Sequence, residues 1–202
     1  MADKATFLSQ IKEGALKSWE KYRVLPSLVA AQAILESEWG KSGLALQGNN
    51  LFGIKAHGWA GETIEMPTKE YRNGQLVPAT AQWRKYNSWS DSVEDHGLFF
   101  VENKRYSTLL NEKDYKKAAI LVKESGYATD PDYSSKLLQI IEGNKLYQWD
   151  EEAFNHEIKK ATNQDTQLYR LVTGTFAGEE SAKKAKENIE KTFGYIVHIK
   201  PE

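Results

Sequence analysis

Residues 26–35, PSLVAAQAIL, form an uncharged apolar run that ends on a carboxylate, Glu36. Pro26 suits the first turn of a helix, where a missing N–H costs nothing. Leu28, Ala31, Leu35 and Trp39 recur at helical spacing and predict a helix with a buried face. Gly40 and Gly43 end it. Glu36 stands beside that stripe, on the line of Val29, Gln32 and Ala33. A fold of this chain must bury the run and still bring a charge out at its end. Nothing in the packing of such a helix asks for that charge.

The surrounding residues read as α-rich. Phe7, Ile11, Leu16 and Trp19 make an apolar stripe over roughly residues 4–21. Residues 44–58 read as a loop. Thr63-Ile64-Glu65-Met66 and Lys69-Glu70-Tyr71-Arg72 flank Asn73-Gly74, a hairpin signal, with a return strand over 77–86. Helical periodicity resumes from Ser90 through Val93, Leu98 and Val101, then Tyr115, Ala118, Leu121 and Val122, then Leu137, Leu138 and Ile141. Pro131 is expected to open the last of these helices. Residues 150–166, DEEAFNHEIKKATNQDT, are polar and read as a connector. The tail reads as a β-α-β unit: a strand over 168–176, an amphipathic helix over 179–192, Gly194 as its cap, and a strand over 195–199. The expected class is α+β. A domain at 1–149, a linker at 150–166 and a module at 167–202 make up the chain, the module being small for independent stability.

Composition narrows the chemistry. A formal net charge of −1, with no basic arm, argues against nucleic acid as a partner. The absence of cysteine excludes disulfides, thiol nucleophiles and Cys-ligated zinc. His57, His96, His156 and His198 are spread without an HxH or HExxH pair, so neither a metal nor another cofactor is expected. No segment approaches the ~20 apolar residues of a membrane span. The start, MADKATFLSQIKEG, lacks the apolar core of a signal peptide.

Cleaving a glycosidic bond needs a carboxylic acid still protonated near neutral pH. Glu36 has two sources of a raised pKa: apolar neighbours Ile34, Leu35 and Trp39, and the partial negative charge of a helix C-terminus. On spacing alone, an ordinary solvent-facing glutamate is the commoner outcome. Glu38 points to another face. A second carboxylate would come from the hairpin, from Glu62, Glu65 or Glu70. Glu70 alternates with Lys69 and Tyr71 and can face one side alone, although a cross-strand ion pair explains each of the three equally well. Aromatic residues are dense here: Phe52, Trp59, Tyr71, Trp83, Tyr86, Trp89, Tyr106 and Tyr127. Aromatic faces stack on sugar rings, yet each such residue is more often core than platform.

The stretches AAQAILESEWGKSGLALQGNNLFGIK, GETIEMPTKEY, WRKYNSWSDSVEDHGLFF and GYATDPDYSSKL occur in this order. With them the chain resembles glycoside hydrolase family 73 over about residues 5–147. These are peptidoglycan N-acetylglucosaminidases of bacterial autolysins, flagellar wall hydrolases and phage endolysins. The resemblance implies a lysozyme-like α fold with a β-hairpin lobe and a groove for the glycan. It implies Glu36 as general acid, Glu70 as second carboxylate and Tyr127 as a tyrosine of the site near the cleaved sugar. Asn50, Phe52 and Gly53 would shape the groove, with Trp59, Trp83 and Tyr106 as further binding residues; Trp83 stands where the family more often has Phe. The implied activity is an endo-β-N-acetylglucosaminidase, with a muramidase, a lytic transglycosylase or a non-catalytic wall-binding protein as alternatives. Glu70 would position a water in an inverting reaction; if it lies too far away, the substrate's own acetamido group would serve as nucleophile.

Tyr169-Arg170-Leu171-Val172-Thr173-Gly174-Thr175-Phe176 and Tyr195-Ile196-Val197 resemble one half of a SPOR peptidoglycan-binding domain. One half leaves unpaired strand edges. Two chains would then complete it as a homodimer; a remnant folded against the catalytic domain is the alternative. Without a leader, the expected setting is a phage endolysin held in the host cytoplasm until a membrane pore releases it. A bacterial autolysin exported by another route would fit as well.

Overall fold

The computed structural model describes residues 3–72, 75–165 and 177–193. The chain divides into two compact units, Met1–Thr162 and Asn163–Glu202.

In the first unit, α2 (Pro26–Ser37) is the centre. Every residue from Pro26 to Ile34 is buried, and Ser37 as well. A helix apolar on all sides belongs in the middle of a core rather than on its surface, so the one buried face expected of it becomes burial all round. α1 (Lys4–Tyr22) packs along it with Phe7, Ile11, Ala15 and Trp19 inward. α4 (Trp89–Glu102) lies against α1 so closely that a Cβ on Gly14 would sit 2.3 Å from the Ser90 carbonyl oxygen. α5 (Tyr115–Glu124) and α6 (Tyr133–Gly143) close the other side, bringing Ala118, Val122, Leu137 and Ile141 into the same core. A 3₁₀ helix, Lys104–Leu109, joins α4 to α5.

The expected hairpin is present. β1 (Thr63–Arg72) pairs antiparallel with β2 (Gln75–Arg84), from Thr63 opposite Arg84 to Arg72 opposite Gln75. Asn73 and Gly74, the expected turn, lie outside the described residues. The segment read as a loop over 44–58 holds a short helix, α3 (Gly43–Gly48), capped by the Ser42 hydroxyl accepting from the Ala45 N–H at 3.2 Å. Pro131 does not open α6; the helix starts at Tyr133.

The two units divide after Thr162, within the connector expected over 150–166, and most of that connector is helix. Residues 150–165 continue a helix, α7 (Tyr147–Asp165), whose first half packs on the core. Ala153 is buried and the Phe154 ring meets Trp19 edge-on at 4.8 Å. Asp150 accepts from the Ser27 backbone N–H at 2.8 Å, at the start of α2. Glu157 accepts from Trp19 Nε1 and from Arg23. The inward positions of α7 thus include two carboxylates, which hid its apolar period.

In the second unit, α8 (Glu179–Phe193) matches the amphipathic helix expected at 179–192. The two expected strands lie outside the described residues. Among the described residues, no helix is long and apolar enough to cross a membrane, and no group of three or more His, Asp or Glu side chains is placed to hold a metal ion.

Candidate active site

Glu36 occupies the last turn of α2, where the buried helix reaches the surface. Behind it the chain makes three consecutive left-handed residues, Glu38 (φ 52°), Trp39 (φ 63°) and Gly40 (φ 74°). Such a backbone is costly for side-chain-bearing residues. Ser37 holds it: its hydroxyl donates to the Ala33 carbonyl at 2.5 Å and accepts from the Gly40 N–H at 2.8 Å. Gly40 is required twice over, by its φ and because a Cβ there would lie 2.5 Å from the Trp89 ring. Trp39 is thereby turned onto α1, edge-on to Phe7 at 5.7 Å.

The Glu36 side chain keeps an exposed surface, yet its carboxyl is crowded by protein. Both hold for a group in a wall that is open on one side. Lost hydration pushes its pKa above the ordinary glutamate value, and a hydrogen bond from Tyr133 partly opposes that rise. The Tyr133 hydroxyl donates to Glu36 Oε1 at 2.8 Å. It accepts from Gln32 Nε2 at 3.1 Å, and Gln32 Oε1 meets His96 Nε2 at 3.2 Å.

Tyr127 belongs to this group. Its ring lies 5.7 Å from that of Tyr133, and burial, with the charge of Glu36 adding, keeps its phenol neutral. Phe52 lies flat on His96 at 3.8 Å. The structure therefore brings Glu36 and Tyr127 together, with Phe52 joined to them through His96. Tyr106 is 2% exposed, packed against Phe99, Phe100 and Tyr127, which leaves it almost no surface for a sugar; it supports Tyr127 from below.

Asn50 is likewise inward. It is fully buried, its amide donates to the Ile54 and Arg84 carbonyls at 3.0 and 2.8 Å, and its oxygen accepts from the Ile54 N–H at 3.1 Å. Its side chain closes the 50–54 loop onto the hairpin and has no N–H left for a ligand. A Cβ on Gly53 would touch the Trp83 ring at 3.7 Å. Trp83 packs half-buried with the Lys55 ammonium above it at 5.7 Å and its Nε1 unpaired. Trp59 donates to the Glu62 carbonyl and stacks with Arg84, at 4.7 Å, and with Tyr86. Gly53, Trp59 and Trp83 thus form a second group, at the hairpin base.

That base is fixed by a buried ion pair. Arg84 donates to both oxygens of Asp95 at 3.0 and 2.7 Å, and the Tyr86 hydroxyl donates to Asp95 at 2.7 Å. Glu70 sits farther out in β1, opposite Val77. The strand period puts position 70 in the alternate set of Ile64, Met66 and Thr68, which is half-buried; the Glu70 side chain lies outside what the structure describes.

Sequence reasoning missed Tyr133, Gln32 and His96 as parts of the site. Gln32 had a signal: it is an amide four residues before Glu36 within an apolar run. Tyr133 and His96 lie in the stretches that carry the resemblance, but no spacing connects them to Glu36; only the fold brings them to α2.

The chain is similar to known proteins over most of its first unit. Residues 12–146 match the glucosaminidase family, described as mannosyl-glycoprotein endo-beta-N-acetylglucosaminidase. The chain is 41% identical over 154 residues to exo-glucosaminidase LytG of Bacillus subtilis, covering 74% of this chain and 54% of that one. It is 34% identical over 148 residues to peptidoglycan hydrolase FlgJ of Escherichia coli K12, covering 71% and 47%. The chain therefore spans about half the length of these curated relatives. Among solved structures, the catalytic domain of the autolysin Auto from Listeria monocytogenes is similar with a TM-score of 0.64 and 34% identity, covering 74% of this chain and 90% of that one. A truncated glycoside hydrolase domain of Salmonella typhimurium FlgJ gives 0.60 and 32%, covering 71% and 98%. On this match across most of its first unit, the chain belongs to the glucosaminidase family, glycoside hydrolase family 73.

Proposed function

We propose that the chain hydrolyses the β-1,4 bond after N-acetylglucosamine in peptidoglycan, with Glu36 as general acid. The observation that carries this reading is the Glu36 carboxyl, at the open end of a buried helix, raised in pKa and held through one oxygen by Tyr133. A carboxyl whose protonated form is favoured there by lost hydration can donate to the departing glycosidic oxygen. Relatives named as peptidoglycan hydrolases support the same substrate class.

Glu70 is the proposed second carboxylate. In an inverting reaction it would activate water across a gap of about 6.5–9.5 Å between the two carboxyls. Otherwise the 2-acetamido group of the sugar would attack the anomeric carbon, with Tyr127, beside Tyr133 and Glu36, as the proposed tyrosine near the cleaved sugar. Asn50, on its hydrogen bonds, shapes the site without touching the glycan; Phe52, Gly53, Trp59 and Trp83 are the proposed sugar contacts. A release of single sugars from chain ends is the second reading, favoured by the name of the Bacillus subtilis relative. The tail would dimerise as two half-modules and bind the wall. A phage endolysin released through a membrane pore is the proposed setting.

Mass spectrometry of digested peptidoglycan tests the activity. N-acetylglucosamine at the new reducing ends supports it, while muramic or anhydro ends support the muramidase or transglycosylase alternative. Single sugars in place of oligosaccharides would mark the chain-end reading. Glu36→Gln is expected to lower the rate by about 10²- to 10⁴-fold.

A further inference from the structure

Three polar side chains are buried behind Glu36, where apolar ones would pack at lower cost. Gln32 is 0% exposed, His96 1% and Tyr133 3%. They come from α2, α4 and α6 and form one string that ends on Glu36 Oε1. Its direction follows from counting protons. An ionised Glu36 only accepts, so the single hydroxyl proton of Tyr133 goes to it. The Tyr133 oxygen must then accept from the Gln32 amide nitrogen. That turns the Gln32 oxygen to His96, which has to carry its proton on Nε2. His96 Nδ1 is left buried without a partner. An unpaired buried acceptor costs about 1–3 kcal/mol, which a phenylalanine at this position would not incur.

We infer that His96 and Gln32 are positioning residues for Glu36, acting through Tyr133 to fix which carboxyl oxygen accepts and which carries the proton given to the substrate. Tyr133 occupies Oε1, so the acid's own proton resides on Oε2. Packing supports the assignment: His96 is held flat between Phe52 at 3.8 Å and Phe99 at 5.8 Å, with Phe100 edge-on at 4.7 Å. Burial lowers its pKa to about 3, so the imidazole stays neutral and its donor does not change with pH. The charged and titratable groups acting on Tyr133 are Glu36 and Tyr106, and on Tyr127 they are Tyr133, Glu36 and Tyr106. The inference rests on the reading of Glu36 as the acid.

The test uses the whole chain on solubilised peptidoglycan, with kcat, KM and the pH profile measured for each variant and folding checked by thermal melting. Gln32→Met and His96→Phe keep volume and stacking but break the string. Each is expected to lower kcat about tenfold to a hundredfold with KM unchanged. Each should also move the high-pH limb upward, by less than Tyr133→Phe does, because the Tyr133 hydroxyl stays but is no longer oriented as a donor to the ionised Glu36. Gln32→Met should add nothing in a Tyr133→Phe background. His96→Gln, which returns a donor near the Nε2 position, should recover most of the loss. Wild-type kcat and pH profile in a folded Gln32→Met, or additive effects in the double variant, overturn the inference. If Gln32→Met does not fold, equal kcat in His96→Gln and His96→Phe overturns it. Failure of the Glu36 reading is seen separately, as activity retained in Glu36→Gln.

Discussion

Glu36 combines an exposed surface with a crowded carboxyl, and the balance between burial and the Tyr133 hydrogen bond sets its pKa. Activity is therefore expected to fall as pH rises through that raised value, since only the protonated acid donates. Tyr133→Phe removes the one contact that lowers it, so the falling limb moves to higher pH; a limb that moves down instead contradicts the geometry. Gly40 lends itself to a separate test. Gly40→Ala adds a Cβ against Trp89 at a left-handed position, and a stability loss of about 1–3 kcal/mol is expected in denaturant titration. Glu36 was singled out in the sequence by the apolar helix that ends on it, but spacing alone favoured an ordinary exposed glutamate, and the ordered motifs of the resemblance made it the proposed acid. Its partner Tyr133 was not legible as one, being 97 residues away with no spacing to connect them.

The helices and the hairpin are held together by a few buried polar contacts. Asp150 joins α7 to the N-terminus of α2, with Oδ1 on the Ser27 N–H and Oδ2 unpaired. Burial raises its pKa from 3.8 to about 6. The sign follows: the folded state binds the proton more tightly than the unfolded one. The stabilisation is then complete below pH about 4 and is lost as pH rises to about 6, an effect of roughly 3 kcal/mol. Asp150→Asn keeps an acceptor for Ser27 and should flatten melting temperature across that window; an unchanged slope contradicts the assignment. Asp95→Ala leaves the Arg84 guanidinium unpaired at the hairpin base and should cost about 3–5 kcal/mol in a chemical melt. The hairpin itself was legible from Asn73-Gly74 and alternating strands. α7 was not, because its inward face carries Asp150 and Glu157 where apolar residues would have marked a helix. Asn50 was legible as a motif position that would shape the groove, but not the means: its side chain is consumed by backbone groups of Ile54 and Arg84.

The two units make different demands on experiment. The first has a continuous core from Phe7 on α1 to Ala153 on α7, so a chain ending after Thr162 is expected to fold and to keep its hydrolytic rate on solubilised glycan. Loss of its cooperative melt would show that the second unit is part of the same core. Light scattering at micromolar concentration is expected to give a dimer for the full chain and a monomer for the shortened one. A monomeric full chain removes the paired half-modules. The wall-cutting role itself is tested by product analysis on purified peptidoglycan, comparing wild type with Glu36→Gln. N-acetylglucosamine reducing ends from the wild type, with almost none from Glu36→Gln, is the expected result. Muramic or anhydro ends, or equal products from both proteins, would contradict it.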